Sequence, residues 1–331
     1  MGIRFSLAAV VALVLAVFLG VKAAGLSHFF GVTIPYIALF AFLVGVVYRI
    51  LVWGRVPVPF RIATTAGQQK SLPWIKQNKL DNPTDKKSVI GRMLLEVLLF
   101  RSLFRNTKFE FENGPKIYYQ WEKWLWLAGL AFHYTFFVIL IRHLRFFTTP
   151  VPFFVEAIER ADGFLQVGLP GIYITDLVFI AAVTYLFVRR VIIPQVRYIS
   201  LPADYFPLFL IFAIGATGIL TRYFTKVDIV KVKQLAMGLI TFHPVVPEGI
   251  GVIFFIHLFL VCTLFAYFPF SKLMHAGGVL MSPTRNQPND SRIVRHINPW
   301  NYPVKVHTYA EYEDHFREKM IEAGLPVEKE L

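Results

Sequence analysis

The chain has 331 residues, of which 56% are hydrophobic, 16% aromatic and only 17% charged, with a formal net charge of +13. That composition is too apolar for a soluble domain of this length and describes a polytopic membrane protein. The lone cysteine, Cys262, excludes a disulfide framework and any iron–sulfur cluster or zinc site built on cysteine within this chain. Because the basic residues lie mainly in loops between apolar runs, the charge reads as a positive-inside bias and not as a nucleic-acid footprint.

Residues 4 to 25 form the first apolar run, just long enough for a ~30 Å hydrocarbon core. A basic start at Arg4 and small residues at Ala23 to Gly25 also resemble a signal peptide, so the chain is expected to have six spans, or five if this segment is removed. A second span runs from Ile34 to Trp53. Residues 55 to 120 are polar and dense in lysine and arginine, the mark of a cytoplasmic loop. Within them SVIGRMLLEVLLFRSLF sets Ile90, Leu94, Val97 and Leu98 at helical spacing. This predicts an amphipathic helix along the membrane surface, which either seals the bundle or docks a soluble partner.

The third span, Trp121 to Phe147, opens with an aromatic belt of Trp121, Trp124 and Trp126 and carries His133 and His143. An outer loop with Glu156, Glu159, Arg160 and Asp162 leads to a fourth span, Ile172 to Ile193, which ends inward at Arg189 and Arg190. The fifth, Tyr205 to Tyr223, contains Gly215 to Gly218, small residues that admit a neighbouring helix or a flat macrocycle. An external segment, 224 to 249, carries Lys231 and His243, and the last span runs from Gly249 to His275 with Pro269 expected to bend it. A polar tail with a short solvent helix near its end is expected in the cytoplasm.

Ionisable groups at membrane depth mark functional sites. His133 and His143 are ten residues apart, a rise of roughly 15 Å, and His257 and His275 are eighteen apart, roughly 27 Å on a straight helix. If the two spans are antiparallel, and tilt and the Pro269 bend reconcile the rises, His143 meets His257 near the outer surface and His133 meets His275 near the inner one. Each pair then offers two neutral imidazoles to one iron, which describes two bis-histidine haems b and electron transfer. Single histidines bonding across helices or lining a proton path, as in a proton-coupled transporter, are the alternative, and a plain membrane anchor is another. Arg142 and Arg145 flank His143, where they bind haem propionates, polarise a quinone oxygen or snorkel to the interface. Arg160, Lys231 and His243 are further quinone candidates, and Arg190 and Lys272 reach propionates on the inner side.

The ten-residue and eighteen-residue histidine pairs resemble those of the respiratory nitrate reductase gamma subunit, a quinol-oxidising dihaem cytochrome b. By that resemblance His143 and His257 bind the distal haem and His133 and His275 the proximal one. Relatives of this kind have glycine before the distal histidine, where this chain has Arg142. The extra first helix, SLPWIKQNKLDNP in the basic loop and NPWNYPVKVHTYAEYEDHFREKM in the tail are more similar to the DsrM-type cytochrome b of the Dsr complex of sulfur-metabolising prokaryotes. The resemblance implies an all-α integral membrane protein with two N-terminal helices (1–54), a basic loop with an amphipathic helix (55–120), a four-helix dihaem core (121–275) and a partner-docking cytoplasmic tail (276–331). It also implies the quinol-oxidising subunit of a multi-subunit oxidoreductase in the prokaryotic plasma membrane. Menaquinol is then the donor and a cytoplasmic iron–sulfur subunit resembling heterodisulfide reductase the acceptor, with further membrane and periplasmic redox subunits; electron flow in reverse, toward quinone, is the alternative direction.

Overall fold

The computed structural model describes residues 2–56, 69–71, 73–112, 116–163, 171–290 and 305–328. Expectations on the intervening residues, among them His296 and the 298–303 stretch of the tail, lie outside the described residues. Helix α1 (Gly2–Lys22) is followed by a π-helical turn, Phe29–Thr33, that leads into α2 (Ile34–Gly54). Then come α3 (Lys86–Leu99), α4 (Arg101–Phe104) and an antiparallel hairpin, β1 (Thr107–Glu112) with β2 (Lys116–Trp121). The remaining bundle elements are α5 (Lys123–His143), α6 (Phe153–Asp162), α7 (Ile174–Ile192), α8 (Pro194–Tyr198), α9 (Pro202–Ile219), α10 (Ile229–Ile240) and α11 (Val252–Tyr267). After two short turns the chain forms α12 (His275–Met281), α13 (Pro283–Asn286) and α14 (Tyr309–Glu322).

Among the described residues, five segments are long and apolar enough to cross a membrane: Gly2–Lys22, Phe29–Gly54, Lys123–Phe146, Pro202–Phe224 and Val252–Phe270. Helix α7, expected as a further span, carries Asp176, Arg189 and Arg190, which reduce its apolar character. It packs between α5 and α9, where Arg142 on α5 pairs with Asp176 and Glu122 pairs with Arg189 at 3.1 Å. The bundle proceeds α5, α7, α9, α11, α2, with α1 packed on both α9 and α11. Val10 and Val17 of α1 join Leu210, Phe255, Ile256 and Leu260 in one core, so α1 is part of the packed bundle. A second core joins Phe179 and Val183 of α7 to Ile211 of α9 and to Phe132, Phe136 and Ile139 of α5. Gly215 serves this contact, because a Cβ there would lie 2.7 Å from the Phe179 ring.

The predicted amphipathic helix is α3, whose Ile90, Leu94, Val97 and Leu98 are all exposed while Glu96 on the other side is buried. Asp85 caps its first turn by accepting from the Ser88 amide at 2.9 Å. Its C-terminus is fastened to α5: Trp126 Nε1 donates to the Leu99 carbonyl (2.7 Å) and Tyr134 Oη to that of Leu98 (2.9 Å). Arg101 and Arg105 both pair with Asp81, and the Arg101 hydrogen bond above all holds the Asp81 carboxyl below the usual carboxylate range. The hairpin and α6 arise within stretches expected to be loop. Alternation in TKFEFE explains the first, and Val155 buried against exposed Phe153 explains the second.

The last span corrects an expectation. Pro269 does not bend a continuous helix running to His275; α11 stops at Tyr267 and is followed by 3-10 turns at Phe268–Phe270 and Lys272–Met274. Proline removes a backbone donor, and Ser271, extended at φ −114° and ψ 175°, starts a new turn by accepting from the Leu273 amide at 3.1 Å. His275 therefore opens a separate helix, and the eighteen-residue interval is not a straight rod. Gly45 of α2 lies against this break, where a Cβ would come within 2.8 Å of Pro269 and 2.9 Å of Phe270. Gly45→Ala is expected to destabilise the bundle by about 1–3 kcal/mol through overpacking, read by thermal unfolding in detergent; an unchanged midpoint would remove this contact from the account.

Candidate functional site

All four bundle histidines direct Nδ1 to a backbone carbonyl. His133 Nδ1 donates to the Gly129 carbonyl and His143 Nδ1 to that of Ile139, both at 2.7 Å and both one turn back along α5. His275 Nδ1 faces the Lys272 carbonyl at 3.0 Å. His257 Nδ1 reaches across to α9, at 3.1 Å from both the Ile214 carbonyl and Thr217 Oγ1. The Thr217 hydroxyl proton is itself directed to the Ala213 carbonyl at 2.7 Å. A carbonyl oxygen accepts only, so in each ring the proton resides on Nδ1 and the Nε2 lone pair is left to coordinate.

The rings meet in two pairs. His143 and His257 have centroids 6.4 Å apart with planes 18° from parallel, and His133 and His275 have centroids 5.9 Å apart with planes at 85°. Two metal–nitrogen bonds of about 2 Å, with roughly 1.1 Å from each ring centre to its Nε2, require a centroid separation of about 6.3 Å. Both pairs have about the ring separation that one metal shared by two imidazoles needs. Among the described residues no cluster of three or more histidine, cysteine, aspartate or glutamate side chains could hold a metal ion. Two imidazole donors without further protein ligands are the donor set that would hold a haem, whose macrocycle would supply the other bonds to iron.

Helix α5 packs on α6 and α7, while α11 packs on α9, α1 and α2, so the His143–His257 pair bridges two helices that draw their main contacts elsewhere, and the His133–His275 pair joins α5 to the start of α12. Gly218 lets α9 approach the His257 ring, for a Cβ there would lie 3.3 Å from Cε1. At the other pair Phe100 and Phe132 stand edge-on to His133, each with its centroid 4.9 Å away. Phe100 is the left-handed C-cap of α3, at φ 49°, so the end of the surface helix meets the His133 ring directly.

The flanking arginines are committed to carboxylates. Arg142 is only 7% exposed, which rules out snorkelling; it pairs with Asp176 at 2.6 Å and Asp162 at 3.3 Å, with its guanidinium carbon 3.8 Å from the Tyr173 ring centre. Arg222 approaches the same ring at 4.0 Å. Tyr223 Oη donates to Asp176 at 2.8 Å and accepts from the Tyr173 amide at 2.9 Å, while Thr175 donates to Asp162 at 2.6 Å. Arg145 pairs with Glu159 at 2.8 Å. Arg160 is solvent-exposed with Glu156 4.0 Å away, Lys231 donates to the Glu248 carbonyl at 2.9 Å, and exposed His243 turns Nδ1 to the Thr241 carbonyl at 2.7 Å. Because α10 packs on the turn Leu144–Phe146, these residues gather at the His143 end. At the other end Lys272 pairs with Asp204 at 2.7 Å and Arg190 bonds Ser200 at 2.8 Å. Sequence reasoning missed Asp176, Tyr173, Thr217, Arg222 and Tyr223; an acidic residue inside an apolar run was the available signal for Asp176.

A helical bundle with histidine pairs between its helices defines the class, a polytopic membrane protein of the cytochrome b type. Residues 93–288 match the nitrate reductase gamma subunit family, and the chain belongs to that family. It is 47% identical over 279 residues to the Hdr-like menaquinol oxidoreductase cytochrome b-like subunit of Archaeoglobus fulgidus, covering 82% of this chain and 83% of that one. The subunit of the same description from Archaeoglobus profundus is 43% identical over 275 residues, 81% of each chain. The respiratory nitrate reductase 1 gamma chain of Escherichia coli is 35% identical over 99 residues, 28% of this chain and 44% of that one. All four paired histidines lie within the family-matched region, whereas α1 and α2 precede it.

Removing one partner of a buried ion pair leaves the other charge uncompensated, at about 3–5 kcal/mol. Arg142→Met is therefore expected to lower unfolding stability in detergent by that order, and Asp162→Asn or Asp176→Asn in the same chain to recover part of it. Full stability of the single variant would mean that this network does not hold α5, α6 and α7 together.

Proposed function

We propose that this chain is the cytochrome b subunit of a multi-subunit membrane oxidoreductase. It takes electrons from menaquinol at the His143–His257 end and delivers them, at the His133–His275 end, to a cytoplasmic iron–sulfur subunit resembling heterodisulfide reductase, in dissimilatory sulfur metabolism. The observation that carries this reading is the pair of neighbouring imidazoles at each end, every ring with Nδ1 directed to a backbone carbonyl and Nε2 without a hydrogen-bond partner among the described residues. The two Archaeoglobus relatives, described as Hdr-like menaquinol oxidoreductase subunits, support the donor and the kind of partner.

In this reading His143 and His257 hold one haem b and His133 and His275 the other. When bound, each would supply one-electron transfer, with two imidazoles of this chain holding it. The carbonyl acceptors fix tautomer and ring orientation and raise the basicity of the coordinating nitrogen. Thr217 and Ile214 do this for His257, and Lys272 does it for His275 through its backbone. Six spans, counting α7, put the basic residues of 55–120 and the tail on the cytoplasmic face of the plasma membrane. α3 then lies along that face with its exposed apolar side chains in the lipid. The single cysteine supports delivery to a partner, since this chain has no cysteines for clusters of its own. At the outer end, Arg142 and Arg145 position the neighbouring helices through their carboxylates. Arg160, Lys231 and His243 are the more accessible donors toward a quinone oxygen.

Purified protein is expected to contain two haems b per chain, with His257→Ala and His275→Ala each losing a different one in reduced-minus-oxidised spectra. A menaquinol analogue should reduce both in the wild type without any soluble partner. Retention of both haems by either variant would sink the ligand assignment, and haems reducible only through the partner would reverse the direction of flow.

A further inference from the structure

Arginine at membrane depth is costly unless it meets a counter-charge. Arg49 lies in α2, five residues before the helix ends. Its Nε is buried without a hydrogen-bond partner, and among the described residues Arg49 makes no ion pair; its guanidinium carbon stands 5.7 Å from the Trp53 ring centre. Of the other buried guanidinium nitrogens of this kind, those of Arg142 and Arg92 belong to side chains with acids beside them, Asp162 and Asp176 for the first and Glu96 one turn on for the second, while Arg222 lies at the opposite end of the bundle between the Tyr173 and Tyr223 rings and donates to the Gly171 carbonyl.

Helix geometry gives the direction in which Arg49 faces. Gly45, Arg49 and Trp53 recur every four residues and share one face of α2. Gly45 lies against Pro269 and Phe270, and Trp53 lies against Gly277 and Gly278, where Cβ atoms would come within 3.5 Å and 3.7 Å of the indole. Arg49 is thus set between two contacts that bracket His275, on the segment that opens α12. The nearby cations are engaged elsewhere, Lys272 with Asp204 at 2.7 Å and Arg285 with Glu96 at 3.3 Å. A guanidinium with free donors on the helix face that packs against the His275 segment calls for a carboxylate, and a haem b held by His275 would bring two propionates.

We propose that Arg49 binds a propionate of the haem held by His275, so that α2, outside the family-matched region, completes the inner site. This rests on the ligand reading above. An anionic lipid phosphate has related chemistry and is the competing source of the anion.

The test is optical redox titration of wild type, Arg49→Gln and Arg49→Lys in nanodiscs of zwitterionic and of anionic lipid, with His275→Ala identifying the inner component. A cation beside the haem disfavours the oxidised, more positive state, so its removal lowers the midpoint potential. Arg49→Gln is expected to keep both haem spectra and lower only the potential of the component missing from His275→Ala, equally in both lipids, with Arg49→Lys restoring most of it. An unmoved potential overturns the proposal, as does an equal shift of both components. A shift seen only in anionic lipid, or loss of co-purified phospholipid with no shift, overturns it in favour of a lipid phosphate. If His275→Ala retains both haems, the ligand reading fails, and this proposal fails with it. That failure is visible in a variant where Arg49 is untouched.

Discussion

Every bundle histidine gives its Nδ1 proton to a backbone carbonyl, and the rest of the architecture serves to place the nitrogen that remains. On α5 the acceptors are the carbonyls one turn back, so a regular helix supplies them without further residues. On the opposite side regular helix does not suffice. His257 needs α9 pressed close enough for Ile214 and Thr217 to reach it, and Gly218 permits that approach. His275 needs the chain broken at Phe268–Ser271 and restarted by Ser271. Two ring pairs of similar separation result from sequence intervals of ten and eighteen residues because one connecting segment is a helix and the other is not.

Charge is handled differently at the two ends. Around His143, α5, α6, α7 and the end of α9 converge on Arg142, Asp162, Asp176 and Tyr223, a network in which each acid faces a cation or a hydroxyl. This pairing also lets the charged residues of α7 lie within the bundle, since Asp176 and Arg189 are both neutralised by α5 and its preceding residue. Around His275 the acids Asp204 and Glu96 pair with Lys272 and Arg285, and Arg49 has neither an ion pair nor a hydrogen bond among the described residues. The unpaired Arg49, on the helix face that packs against the His275 segment, is the physical basis for assigning a bound anion to the inner end.

The apolar spans and the exposed face of α3 were legible because hydropathy and helical period are local properties of the chain. The grouping of the histidines was legible as well, since antiparallel spans leave few ways to match them in depth. What was hidden depends on tertiary contact. Pro269 in an apolar run is compatible with a kink or a stop, and the choice was made by the Ser271 capping bond and by Gly45 packing against the break. Arg142 beside a histidine suggested an interfacial cation, but Asp176 is 34 residues away in sequence and meets it only once α7 packs on α5. The role suggested for Arg49 was likewise invisible until Gly45 and Trp53 were seen against the His275 segment.

The central claim is that both irons are held on both sides by imidazole, with no position left for an added ligand. Exposure of the dithionite-reduced, purified protein to carbon monoxide tests this most directly. The account predicts an unchanged low-spin spectrum for both haems, and formation of a carbon monoxide adduct by either one would contradict it.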